Sequence, residues 1–201
     1  MNDSSTGGYL TPLPTGPVPL DDDALYAFLQ PIVVGVVGTL PGSLVIPRWQ
    51  PEAPNLPAVG TNWAALGVET GSMTQYTYQG HQPAVGLVPG YDIYHAHEDL
   101  HILLSFYGPN GRANAALWRD GIQIAQNREV LLLNNMGLVH VGDIVQMNSL
   151  VKELWLRRYD ISVTIRRELI RWYGVLDLVG ADMTVNNEEY VTTITVTNPE
   201  V

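Results

Sequence analysis

Residues 104–128, LSFYGPNGRANAALWRDGIQIAQNR, constrain the fold of this chain more than any other stretch. Leu100, Ile102, Leu104 and Phe106 fall on one face of a strand, with His95, His97, Asp99 and His101 on the other. Gly108-Pro109-Asn110-Gly111 then supplies turn chemistry, and a helix is expected from Arg112 or Ala113 to about Gln126. Its inner side is expected to carry Ala113, Ala116, Leu117 and Ile124, and Gly121 weakens it by about 1 kcal/mol relative to alanine. The element reads as a device for packing and assembly, with no residues arranged for catalysis.

The rest of the chain follows from the same logic. Asp21-Asp22-Asp23 offers an N-cap and negative charge for a helix whose apolar stripe is Leu25, Phe28, Leu29, Ile32, Val33 and Val36. Pro31 predicts a kink or an early stop, and Pro41-Gly42 closes the element. Residues 46–60, with four prolines, read as a long extended connection anchored by Trp49. Strand patterns lie at 62–69, 73–79 and 91–106, with an irregular loop at 80–90. A second short helix is expected at 129–133, then strands at 138–141, 154–165, 175–178 and 190–197. Tyr159, Ile161, Val163 and Ile165 share one face of the 154–165 strand. The order predicts an α+β fold: a mostly antiparallel sheet with helices packed on one side, an extended N-terminal arm and a C-terminal tail. Residues 1–20, rich in Pro, Gly, Ser and Thr, form the arm; 21–180 form the domain; 181–201 form a tail with a possible added strand.

Charge narrows the function. With 20 acidic against 10 basic residues, the formal net charge of -10 opposes wrapping of nucleic acid. The absence of cysteine removes thiolate nucleophiles, disulfides and sulfur-based zinc sites. The apolar run at 24–40 is interrupted by Gln30, Pro31, Gly35 and Gly38 and preceded by aspartates, so neither a membrane span nor a signal peptide is expected, and the chain reads as soluble and cytoplasmic.

Two clusters merit a chemical test. His95, His97 and His101 alternate onto one strand face with Asp99, but His95 and His101 would stand roughly 20 Å apart at about 3.3 Å per residue, too far to share one ion, so only a His95–His97 pair could take part in a metal site. Arg157, Arg158, Arg166, Arg167 and Arg171 interleave with Trp155, Tyr159, Trp172 and Tyr173. Such a set suits stacking on single-stranded nucleic acid or a protein interface; against an acidic chain, the interface is preferred. With Trp49, these arginines are the expected subunit or partner contacts. No Walker A lysine, G-x-S-x-G or HExxH occurs, so no catalytic, cofactor or metal residues are assigned.

Three spans carry a likeness: VIPRWQPEAPNLPAVGTNWAALGV, LSFYGPNGRANAALWRDGIQIAQNRE and LWLRRYDISVTIRRELIRWYGVLDL. In this order they resemble the bacteriophage neck or tail terminator family. The resemblance implies a structural virion protein, assembled in the host cytoplasm, that forms a ring at the neck, usually of six subunits. Such a ring caps the tail tube, ends its polymerisation and joins the tail to a head-side connector, with genome DNA passing through unbound. The alternatives are a head-completion adaptor or a tube subunit and, from another class, a small nucleic-acid-binding or metal-dependent enzyme.

Overall fold

The computed structural model describes residues 5–49, 56–58, 60–73, 77–85, 88–151, 154–177, 180–186 and 191–197. Its contacts divide the chain into two units. One is Leu20–Gln75 with His97–Glu168; the other is Met1–Pro19, Tyr76–Ala96 and Leu169–Val201.

In the larger unit the apolar stripe after the aspartates becomes helix α1 (Asp22–Val37), which buries Leu25, Leu29, Val33 and Val37. Phe28, Ile32 and Val36 pack half-buried beside that stripe. The expected stop at Pro31 does not occur. Pro31 sits inside the helix on an exposed position, so its ring faces solvent while burial on both flanks holds the helical path. Helix α1 ends at Gly38, which adopts φ 68° and donates its N–H to the Val34 carbonyl at 2.9 Å. Asp21 precedes the helix but makes no side-chain cap. Its carboxylate is drawn instead to Arg167, a stronger, charge-assisted partner.

After a single 3-10 turn at Gly42–Leu44, strand β1 (Val45–Pro47) pairs parallel with β2 (Trp63–Met73). The connection expected at 46–60 therefore starts as a sheet edge; of its remainder, residues 50–55 and 59 lie outside the described residues. The Gln30 side-chain amide donates to the carbonyls of Gly42 and Val45, and Tyr26 Oη donates to Val45, so α1 fastens the edge strand. Strand β3 is Tyr78–Gln82 and β4 is Tyr91–Tyr107. Antiparallel pairing sets Ala64 against Phe106, Leu66 against Leu104 and Val68 against Ile102, with a register shift before Thr70 meets His101. Leu100, Ile102, Leu104 and Phe106 are all buried, as the alternation required.

The turn at Gly108 has φ 95°, and Asn62 Oδ1 accepts the Asn110 N–H at 2.8 Å. Helix α2 (Gly111–Gly121) follows, then α3 (Ala125–Leu132). The expected inner side of the α2 region is corrected: Ala113, Leu117 and Ile124 are exposed, while Asn114, Ala115, Trp118 and Ile122 are buried. Trp118 carries the largest apolar area in the segment, so the helix turns to bury the stripe that contains it. Gly121 is no mere weak point. A Cβ there would lie 2.7 Å from Val36 Cγ1, which marks a close approach of α1 and the end of α2.

Strand β5 (Met136–Val141) and the short β6 (Val145–Gln146) both pair with β9 (Arg158–Gly174), and between them in sequence β7 (Ser149–Val151) and β8 (Leu154–Leu156) form a separate hairpin. The strand order is β1-β2-β4-β9-β5. Tyr159, Ile161, Val163 and Ile165 of β9 are buried with the inner face of β4, α1 and α2 in one core. The architecture is a mixed fold whose helices pack on an open, mostly antiparallel sheet.

In the smaller unit β3 pairs antiparallel with the start of β4, Tyr78 opposite His95 and Gln82 opposite Tyr91. Residues 80–82, expected in a loop, are therefore strand, and Val85 and Val88 form a further isolated bridge. The Leu13 N–H donates to the Trp172 carbonyl at 2.7 Å, and Pro12 bridges to Tyr173, so this part of residues 1–20 is backbone-paired. No strand forms at 175–177; residue 178 lies outside the described residues. The expected last strand is β11 (Val191–Thr197), paired along its length with β10 (Gly180–Asn186).

Two glycines test the backbone argument. Both Gly38 and Gly108 have positive φ, but a Cβ at Gly38 meets open space, whereas at Gly108 it would lie 2.3 Å from the Thr61 carbonyl oxygen. Gly38→Ala is expected to cost about 1 kcal/mol and Gly108→Ala at least about 2 kcal/mol, read from urea unfolding midpoints.

Candidate assembly surface

The arginine cluster is mostly spent inside the chain. Arg167 is 7% exposed. Its Nε donates to Glu98 Oε2 at 2.7 Å, its Nη2 to Asp21 Oδ1 at 2.7 Å, and its Nη1 to the Leu20 carbonyl. Alternation along β9 puts Arg167 on the apolar inner side, where a lone guanidinium would be costly, and the surrounding acceptors satisfy it. Arg166, on the other face, makes a bidentate pair with Asp99 at 2.6 and 2.8 Å. That pairing holds the Asp99 carboxyl below its ordinary range. Arg158 grips Asp160 the same way at 2.7 and 2.6 Å. Arg157 is exposed and Arg171 half-buried. Of the aromatics threaded among them, Tyr159 is buried, whereas Trp155 is 68% exposed.

Trp49 is 59% exposed and lies flat over Gly67, where a Cβ would come within 2.5 Å of its ring. The Arg48 guanidinium stands 5.8 Å from the centre of that ring and also donates to Ser105 Oγ. Trp49 thus anchors the start of the connection, as expected, by means of a glycine the sequence did not single out. Beside it opens a cleft of about 460 Å³, lined by Asp21, Asp22, Asp23, Leu25, Tyr26 and Leu29 of the α1 region, residues 47–49, residues 66–71 of β2, and Glu98, Leu100 and Arg167.

Two groups of large apolar side chains face solvent in the same unit. Leu117, Ile124, Leu132 and Leu133 lie on the outer side of α2 and α3, Leu133 being 84% exposed. Val145, Met147, Leu150 and Trp155 lie on β6 and the β7–β8 hairpin, where Leu150 and Trp155 are directly opposed across the strands. The single strand expected at 154–165 is divided, its first three residues forming β8 of this hairpin, because two three-residue strands are too short to show a period of their own.

The three histidines all fall on β4. His97 and His101 are exposed, and Thr164 Oγ1 lies 3.2 Å from His101 Nδ1. A fourth histidine, outside that set, is held by two carboxylates. In the smaller unit His81 Nδ1 meets Asp92 Oδ1 at 2.7 Å, and its Nε2 meets Asp177, whose other oxygen accepts the Ala84 N–H. The hydrogen bond to Asp92, followed by that to Asp177, raises the imidazole pKa from its ordinary 6.5.

The mixed fold, its solvent-facing apolar surfaces and its internally paired charges describe a protein made to pack against others. The match to known families agrees: residues 23–196 match the model of the phage neck terminator proteins, and the chain belongs to that family. It is a structural protein of virion assembly, acting at the neck or tail, rather than an enzyme. No curated protein matches the sequence. Among the described residues no helix is long and apolar enough to cross a membrane.

Two measurements check the electrostatic account. Arg167→Ala leaves half-buried Glu98 without its partner and is expected to cost on the order of 3 kcal/mol, whereas Arg166→Ala, at a surface pair, should cost clearly less; urea titration compares them. For His81 the folded pKa is raised, so its tie to Asp92 and Asp177 is fully present below the unfolded value of 6.5 and is lost as pH rises through the folded value. An NMR titration should find its midpoint above 6.5, and Asp92→Asn should move it back toward that value.

Proposed function

We propose that the chain closes into a ring, six subunits by analogy with the family it resembles, that sits at the phage neck. The ring caps the tail tube, ends its polymerisation and presents its other face to a head-side connector. The observation that carries this reading is the family match over residues 23–196. The exposed apolar groups on α2–α3 and on the β7–β8 hairpin support it, since patches of this kind serve as contact surfaces. Arg157, Arg166 and Trp49 are exposed and Arg158 and Arg171 half-buried, so of the expected interface residues only Arg167 is buried. Arg158, Arg166 and Arg167 support the same surface indirectly, by fixing the carboxylates they hold. Residues 21–180 form the ring domain. The arm at 1–20 and the tail at 181–201 reach toward neighbouring subunits or axial partners, where either can lend a strand. The net charge of -10 suits a passage that DNA must cross without sticking. The protein is assembled in the host cytoplasm and stays in the virion.

A phage that lacks the protein is expected to yield overlong tail tubes and capsids without tails, visible by negative-stain electron microscopy, and purified protein should restore joining. Tails of normal length that simply fail to join heads would mark a head-completion adaptor instead. Loss of tubes altogether would mark a tube subunit.

A further inference from the structure

The cleft and the hairpin belong to the same unit but to different parts of it, the hairpin being a two-stranded sheet of its own. The cleft borders β1 and β2, at one end of the strand order; the hairpin follows β6, which extends the other end beside β5 on β9. A knob in one place and a hollow in another are the two halves of a head-to-tail contact, the kind that repeats around an axis and closes a ring. A two-fold contact would need one self-complementary patch, and neither place offers both.

The two surfaces also match in chemistry. Trp155 and Leu150 project together from the hairpin, 68% and 61% exposed, with the exposed guanidinium of Arg157 close behind in sequence. The cleft has apolar walls in Leu25, Leu29 and Leu66 and a rim of carboxylates. Arg167 takes up Asp21 and Glu98, but among the described residues Asp22 and Asp23 have no ion-pair partner. The hollow therefore combines apolar walls with five carboxylates against two cations, Arg48 and Arg167. At about 460 Å³ it has the size of a cleft that encloses a whole side chain. Tryptophan and arginine are the residues most often found to dominate binding energy at protein contacts.

We propose that the Leu150–Trp155 side of the β7–β8 hairpin of one copy seats in the cleft beside Trp49 and Asp22–Asp23 of the next copy, with Arg157 against the acidic rim. This rests on the ring reading above and names its contact.

The chain has no cysteine, so paired cysteines can be introduced on a clean background. Leu150→Cys and Thr70→Cys together place one thiol on the hairpin and one in the cleft, leaving Trp155 in place. Assembled protein carrying both should give, on copper-phenanthroline oxidation or with a short bismaleimide, a ladder of covalent multimers up to the ring number on a non-reducing gel. Each single variant should give at most dimers. Trp155→Ala, at an exposed position that leaves the fold intact by circular dichroism, should raise the concentration needed for ring formation at least tenfold by analytical ultracentrifugation. Rings that assemble yet give no ladder overturn the proposal and leave the ring reading standing. Rings of Trp155→Ala that form normally but no longer stop tube growth assign the hairpin to the tube protein, which also overturns it. Wild-type protein that makes no ring, alone or on tubes, removes the ring reading and this contact with it.

Discussion

The structure depends on burial of one face of two strands. Leu100, Ile102, Leu104 and Phe106 of β4 and Tyr159, Ile161, Val163 and Ile165 of β9 share a core with α1 and α2. Fully burying one such side chain stabilises by about 1.5–3 kcal/mol, so this face outweighs any single polar contact in the molecule. It fixes the register, since a slip by one residue would carry the apolar set to solvent. It also explains why α1 continues through Pro31 and why α2 turns to point Trp118 inward: local preferences yield where apolar area is at stake.

The charges are subordinate to that core, and three arginines of β9 are taken up within the chain. Arg158, Arg166 and Arg167 each hold a carboxylate of the same chain. In a protein with twice as many acids as bases, the net charge of -10 is poorly suited to a phosphate backbone, and this pairing takes up arginines that could otherwise contact one. Arg167 joins the residues before α1 to β4 and β9, so the start of the helix is held by an ion pair where a conventional N-cap was expected.

Buried and exposed apolar residues are separated in the structure. Its inner surfaces are closed by the helices. Several of its exposed apolar residues stand on short elements: the C-terminal end of α3 and a hairpin of two three-residue strands. Such elements add little to the core, so their side chains are free to serve contacts without cost to folding.

The amino-acid sequence by itself determined the long strand at 91–107, the helix after the aspartates, the turn at 108–111, the buried face of β9 and the family likeness. These rest on local periodicity and turn chemistry, which neighbouring residues carry in full. Three matters were decided only by tertiary structure: which stripe of α2 faces inward, which carboxylates the arginines take, and that His81 meets Asp92 and Asp177. Each depends on residues far apart in sequence, and their meeting follows from how the sheet and helices pack, a relation that no local pattern encodes.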